Sequence, residues 1–116
     1  MTFLADKICE ACRAGAPLAT AEEIADYLAQ LPGWKITVVA GINHLEKNYK
    51  FKNFQQALQF TNKVGVLAEQ ANHHPAILTE WGRVTVSWWT HKIGGLHAND
   101  FIMAAKTDKI TWDLGT

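Results

Sequence analysis

The residue that most limits what this chain can fold into is Pro75. Upstream of it, from Asn53, the residues Phe54, Ala57, Leu58, Thr61, Val64, Ala68 and Ala71 recur every three or four positions, with Phe60 and Leu67 widening the stripe. That is the period of a helix lying across an apolar surface, and Asn53 is a good N-cap for it. Downstream, Arg83 to Thr90 sets Val84, Val86 and Trp88 against Thr85, Ser87 and Trp89, which is the period of a strand. Proline lacks an N–H and disfavours the helical conformation at the residue before it, so the helix must stop at the pair His73-His74. His91, at the end of the strand, continues the face that turns away from Val84, Val86 and Trp88. A helix end and a strand end that meet in space would bring three of the five histidines together.

The flanks supply the remaining elements. Thr20-Ala21-Glu22-Glu23 reads as a capping box opening a helix to about Gln30, with Ile24, Tyr27, Leu28 and Leu31 inward and Pro32-Gly33 ending it. Trp34 to Val39 and His44 to Phe51 alternate with period two around Ala40-Gly41, a β-hairpin. After Pro75, Ile77 to Trp81 is a short strand, Gly82 a turn, and Arg83 to Thr90 the clearest strand. Gly94-Gly95 breaks the chain, and Leu96 to about Ile110 forms a last helix with Ala98, Phe101, Ile102 and Ala105 inward. The order α-β-β-α-β-β-α predicts an α+β domain: a four-stranded antiparallel sheet with three helices packed on one face.

The chain has 116 residues, one domain's worth. Residues 20–116 form that domain, and residues 1–19, with Gly15, Pro17 and the pair Cys9 and Cys12, read as a flexible arm. Its 11 basic and 11 acidic residues are spread along the sequence and sum to zero. That balance leaves no electrostatic footprint for nucleic acid or an anionic membrane. With no membrane-length apolar run and no signal-peptide pattern at the N-terminus, the expected location is the cytoplasm. Cys9 and Cys12 are then expected to be free thiols, since no second cysteine pair completes a zinc site.

Imidazole exchanges protons near neutral pH, so a His cluster suits general acid and base catalysis. Partial negative charge at a helix C-terminus favours an imidazolium at His73 or His74, and Glu69, one turn before His73, can orient that ring. Each residue also has a plainer reading. A histidine at a helix end serves as a cap, and His91 can be an ordinary surface residue. Metal binding is a further alternative, although no His-x-His or His-x-x-x-His spacing is present. His44 and His97 have no companions in sequence and read as surface histidines.

Glu69-x-x-x-His73-His74-Pro75, Trp81, the strand Val84 to His91, and Gly95-Leu96 with Asn99-Asp100-Phe101 closely resemble the pterin-4a-carbinolamine dehydratase family. Pro32-Gly33-Trp34 and Phe51-Lys52-Asn53-Phe54 extend the resemblance over about Leu31 to Ile110, and the cysteine-bearing arm looks like that of bacterial members associated with phenylalanine catabolism. The resemblance implies dehydration of 4a-hydroxytetrahydrobiopterin to quinonoid dihydrobiopterin, recycling the pterin for phenylalanine hydroxylase. It implies no cofactor and no metal, and a homodimer or homotetramer. His73 and His91 match the proton-transfer positions, His74 a substrate-binding histidine, and Glu69 and Pro75 supporting positions. Trp34 matches an aromatic position near the pterin, and Asp100 a site position that also suits the positive helix end. Two departures stand out: Ala76-Ile77 replaces an aromatic found in several relatives, and His97 stands where a Ser or Thr N-cap is expected. Members of the family also act as coactivators or assembly factors, so a non-catalytic binding protein of the same fold is the alternative.

Overall fold

The structure is a computed structural model that describes residues 18–113, with side chains through residue 111. The cysteine pair and most of the arm lie outside the described residues. Helix α1 (Ala21–Leu28) is followed by strands β1 (Lys35–Val39) and β2 (Ile42–Lys50), helix α2 (Phe54–Ala71), strands β3 (Ala76–Glu80) and β4 (Arg83–Trp88), a 3₁₀ turn at His91–Ile93, and helix α3 (Ala98–Asp113). The expected α+β order is borne out. The antiparallel sheet runs β1-β2-β4-β3, so β2 and β4 are central and β4 carries the site strand through the middle of the sheet.

Local chemistry sets the element ends. Thr20 and Glu23 exchange side-chain-to-backbone bonds at the start of α1, and those bonds hold the Glu23 carboxyl below its ordinary pKa. Asn53 accepts the N–H of Gln56 at the start of α2. Two-residue connections join both hairpins, and at the first of them Ala40 and Gly41 both have positive φ, 52° and 79°. That is the conformation whose twist suits a tight hairpin.

Cross-strand partners share a face. Ile36, Leu45 and Trp88 form one row of partners across the sheet and Val86 with Ile77 belongs to the next row on the same face, which turns toward the helices. Against them pack Phe60, Val64 and Ala68 of α2 and Phe101, Met103 and Ala104 of α3. The apolar face of α2 is narrower than its sequence stripe suggests: Phe54 is 46% and Leu58 43% exposed, and the buried line is Ala57, Phe60, Val64, Ala68. Helix α3 is the reverse, with every residue from Asn99 to Ala104 buried; Tyr27 of α1 packs on Phe101 there, ring centroids 4.9 Å apart and planes tilted by 32°.

Two carboxylates fix α3. Asp108 accepts from Trp34 Nε1 (3.1 Å), Lys47 Nζ (2.9 Å) and the Tyr49 hydroxyl, tying the helix to β2 and to the residue before β1. Burial first, and then the neighbouring carboxylate, push the Tyr49 phenol far above its ordinary pKa. Asp100, two turns earlier, meets His73 and Thr90.

Candidate active site

Helix α2 stops at Ala71 because Asn72 adopts the left-handed conformation, φ 52° and ψ 41°, a backbone state in which asparagine is one of the few tolerated side chains. The N–H of His73 then returns to the carbonyl of Ala68 at 3.2 Å, as in a Schellman turn. This reversal separates the two neighbouring histidines. The His73 side chain goes inward, where its residue is 3% exposed. His74 points out and folds back onto Glu69, to which its Nε2 is hydrogen-bonded. The spacing in sequence suggests that Glu69 orients His73; it orients His74 instead, because the helix ends before the pair. Pro75 follows and leads directly into β3 at Ala76.

The partner of His73 is Asp100. Its Oδ1 lies 2.7 Å from His73 Nε2, and its Oδ2 accepts from Thr90 Oγ1 at 2.8 Å and from the His97 backbone N–H at 2.9 Å. The carboxylate is fully buried. Such a charge is tolerated in a core only when its lone pairs are occupied, and three donors occupy them. His73 also lies over Trp88, with ring centroids 5.6 Å apart and planes 16° apart, while Trp88 Nε1 is anchored on Thr107 Oγ1 at 3.1 Å. A ring that gives its Nε2 hydrogen to a fixed carboxylate has Nδ1 as its basic nitrogen when neutral. The arrangement therefore selects both the orientation and the tautomer of the His73 ring.

At the start of α3, His97 Nδ1 accepts the N–H of Asn99 at 3.1 Å while Asp100 reaches back to the His97 N–H. Together they reproduce a capping box with imidazole in place of a hydroxyl. His97, read from sequence as a surface histidine, is a cap, and Asp100 joins the helix start to the His73 ring.

His91 reaches the site by another route. Thr90, buried and bonded to Asp100, pairs with Gly95 across a tight loop, and His91 opens the 3₁₀ turn between them. The exposed His91 ring packs on Trp89 with centroids 4.4 Å apart. On the same indole lies His44 of β2, centroid 3.8 Å away and planes 4° apart. The two conjugated rings lie parallel and in contact. His44 is 8% exposed, so the expectation of a surface histidine fails. It keeps step with the polar residues of its strand, but Trp89 covers it. Burial, foremost, and the nearby His91 hold its pKa below the ordinary histidine value, against the pull of Glu46 and Asp100. No periodicity within β2 could reveal this contact. It requires knowing that β2 pairs with β4 in the register Leu45 to Trp88.

The expected meeting of three imidazoles is thus more differentiated than the sequence suggests. His73 sits on the helix side of the sheet, His91 beyond the end of β4 with Trp89, and Thr90 and Asp100 lie between them. Trp34 stands apart: its residue is 6% exposed and its indole serves Asp108, about 12 Å along the α3 axis from Asp100. An open groove lined by Thr61, Gly65, Val66, Glu69 and Ile77 runs between α2 and β3 beside the Glu69–His74 pair. A smaller recess lies against Gly94-Gly95, Leu96, Gly41 and Asn43. Among the described residues, no group of three or more His, Cys, Asp or Glu side chains converges as a metal-binding set, and no helix is long and apolar enough to cross a membrane.

The family model described as pterin 4 alpha carbinolamine dehydratase matches residues 17–110. A protein of Syntrophotalea carbinolica named "Putative pterin-4-alpha-carbinolamine dehydratase" is 60% identical over 110 residues, 95% of this chain and 98% of that protein. The crystal structure of a transcriptional coactivator/pterin dehydratase from Brucella melitensis superposes with a TM-score of 0.73 at 32% identity, covering 81% of this chain and 98% of that one. A pterin dehydratase-like protein identified as a RuBisCO assembly factor in the alpha-carboxysome shares the fold, with a TM-score of 0.57 at 20% identity over 67% of this chain and 88% of its own. The match of the family model over most of the chain, together with the high identity to a relative of nearly the same length, places this chain in the pterin 4 alpha carbinolamine dehydratase family.

Proposed function

We propose that this protein dehydrates 4a-hydroxytetrahydrobiopterin to quinonoid dihydrobiopterin, with His73 and His91 as the proton-transfer groups. The observation that carries the reading is the buried Asp100 carboxylate, which fixes the His73 ring and, through Thr90, the start of the turn that bears His91. The reaction breaks the C4a–O bond and removes the proton on N5. The hydroxyl leaves as water once protonated, and a base takes the N5 proton, so atoms and charge balance with acid and base alone. His74, exposed and hydrogen-bonded to Glu69, is suited to bind the polar edge of the pterin. Trp34 acts through α3, by way of Asp108. No cofactor enters this scheme, and the reaction serves an aromatic amino acid hydroxylase, phenylalanine hydroxylase in this reading, within the cytoplasm. The decay of carbinolamine absorbance during phenylalanine hydroxylation tests it: His73→Ala and His91→Ala each lower the rate by roughly 10² to 10⁴. Unchanged turnover in both variants would remove those residues from the mechanism.

A second reading has its own support. The Brucella melitensis relative is described as a coactivator as well as a dehydratase, and Leu58, Val66 and Leu78 leave apolar surface exposed on α2 and on the edge strand β3. Such edges pair readily, and we infer a homodimer or homotetramer, which sedimentation at high protein concentration checks. Stoichiometric capture of a different protein, with no dehydration by pure material, would favour the binding role.

A further inference from the structure

His44 has no part in the reaction as written, yet it is one of the few buried polar residues of the sheet. Its backbone is paired to Thr37 of β1 and directly precedes the Leu45–Trp88 pair with β4, so it stands on a strand fixed by the β1 ladder at that residue and by the β4 ladder from the next. Trp89 is different. It lies just beyond the last residue of β4, where side-chain packing has to set the direction of the indole. His91 is different again, an exposed residue opening a three-residue 3₁₀ turn, and an exposed ring of that kind ordinarily exchanges rotamers on the fastest side-chain timescale. The aromatic ring packed against it is Trp89, and the ring against Trp89 from β2 is His44.

We propose that His44 is a positioning residue, which through the Trp89 indole holds the His91 imidazole in the orientation it uses for proton transfer. The inference rests on the role of His91 proposed above and adds to it a residue that does not touch the reacting atoms. Aromatic contact alone would suit phenylalanine at position 44. Burial lowers the pKa of His44, so its ring also presents an uncharged flat face to the indole, and the charged or titratable groups around it are Glu46, His91 and Asp100.

The test compares His44→Ala with His44→Phe in the full-length chain, reading the His91 ring resonances by carbon-edited NMR together with kcat and KM for the carbinolamine. In His44→Ala the His91 ring protons move from their position over the indole toward that of an unstacked histidine. There kcat falls about two- to tenfold while KM changes by less than about twofold, the scale of one lost aromatic contact. His44→Phe restores both. Unmoved His91 resonances in His44→Ala, or a phenylalanine variant as impaired as the alanine one, would overturn the proposal. If the resonances move as expected while even the unaltered protein fails to dehydrate the carbinolamine, the positioning of His91 stands and the assigned reaction falls.

Discussion

Asp100→Asn changes one atom and leaves the side chain its size. In the unaltered protein Oδ2 accepts two hydrogen bonds, from Thr90 Oγ1 and the His97 N–H, while Oδ1 faces His73 Nε2. The amide oxygen of the substituted side chain would take the two-donor side, since the opposite orientation would set its NH₂ against the backbone N–H of His97. The NH₂ group then faces His73 Nε2 at what was 2.7 Å, and the ring must answer with a lone pair. His73 is driven to the Nδ1–H tautomer, and a doubly protonated ring would face donor with donor. Losing a charge-assisted hydrogen bond in a fully buried site costs about 1.5–3 kcal/mol. For a domain of this size that is roughly 6–20 °C in melting temperature. Turnover suffers more, by about 10² to 10⁴, because the proton now sits on the wrong nitrogen. Long-range nitrogen–proton NMR reads the tautomer directly, and carbinolamine decay reads the rate. A folded Asp100→Asn protein that keeps the Nε2–H tautomer, or turns over within about twofold of the original, would refute the assignment of Asp100 as the group that sets His73.

Three further perturbations follow from particular contacts. Ala40 is an alanine at φ 52° in the β1–β2 turn, a conformation that costs an ordinary side chain about 1–2 kcal/mol; Ala40→Asn, the residue that turn favours, raises the melting temperature, and an unchanged or lower value would show the turn to be of another type. His44 has a folded pKa below the unfolded value near 6.5, so the unfolded chain binds more protons as pH falls below about 6.5 and stability is lost on the acid side. Melts at pH 7.5 and 5.5 should therefore show a smaller acid-side loss in His44→Gln than in the unaltered protein. Asp108→Ala leaves the Trp34 indole N–H, the Tyr49 hydroxyl and Lys47 without their shared acceptor; denaturant titration should find it destabilised by about 2–4 kcal/mol, and a loss below about 1 kcal/mol would mean that solvent at this half-buried site replaces the carboxylate.

Much of the architecture is legible in the sequence because its signals are local. Asn53 and Pro75 bracket α2, Thr20 and Glu23 open α1 as a capping box, and the change of period from three or four to two separates helix from strand. What stays hidden is set by pairings between distant residues. Asn72 before Pro75 is compatible with a left-handed helix end, but nothing near Glu69 says that this reversal hands Glu69 to His74 rather than to His73. His44 shares the polar phase of its strand, and only the β2–β4 register brings an indole over it. Phe54 and Leu58 fit a helical stripe, but the faces α2 turns to the sheet and to α3 run through Ala57, Phe60, Val64 and Ala68. For the site, the sequence indicates Asp100 as a helix-end acid. That the same carboxylate grips His73 and Thr90 depends on where α3 docks.

The two carboxylates of α3 also restrict how the molecule can move. A helix resting on apolar side chains alone can creep along its axis or roll by a fraction of a turn at small expense. This one is pinned like a rod at two stations about 12 Å apart, Asp100 at the loop after β4 and Asp108 at β2. A slip of a single residue, about 1.5 Å, would break both attachments together, and a roll would withdraw both oxygens from their donors. Helix and sheet are thereby coupled at both ends of the shared stretch, and the turn that carries His91 is tied to the first of those stations through Thr90.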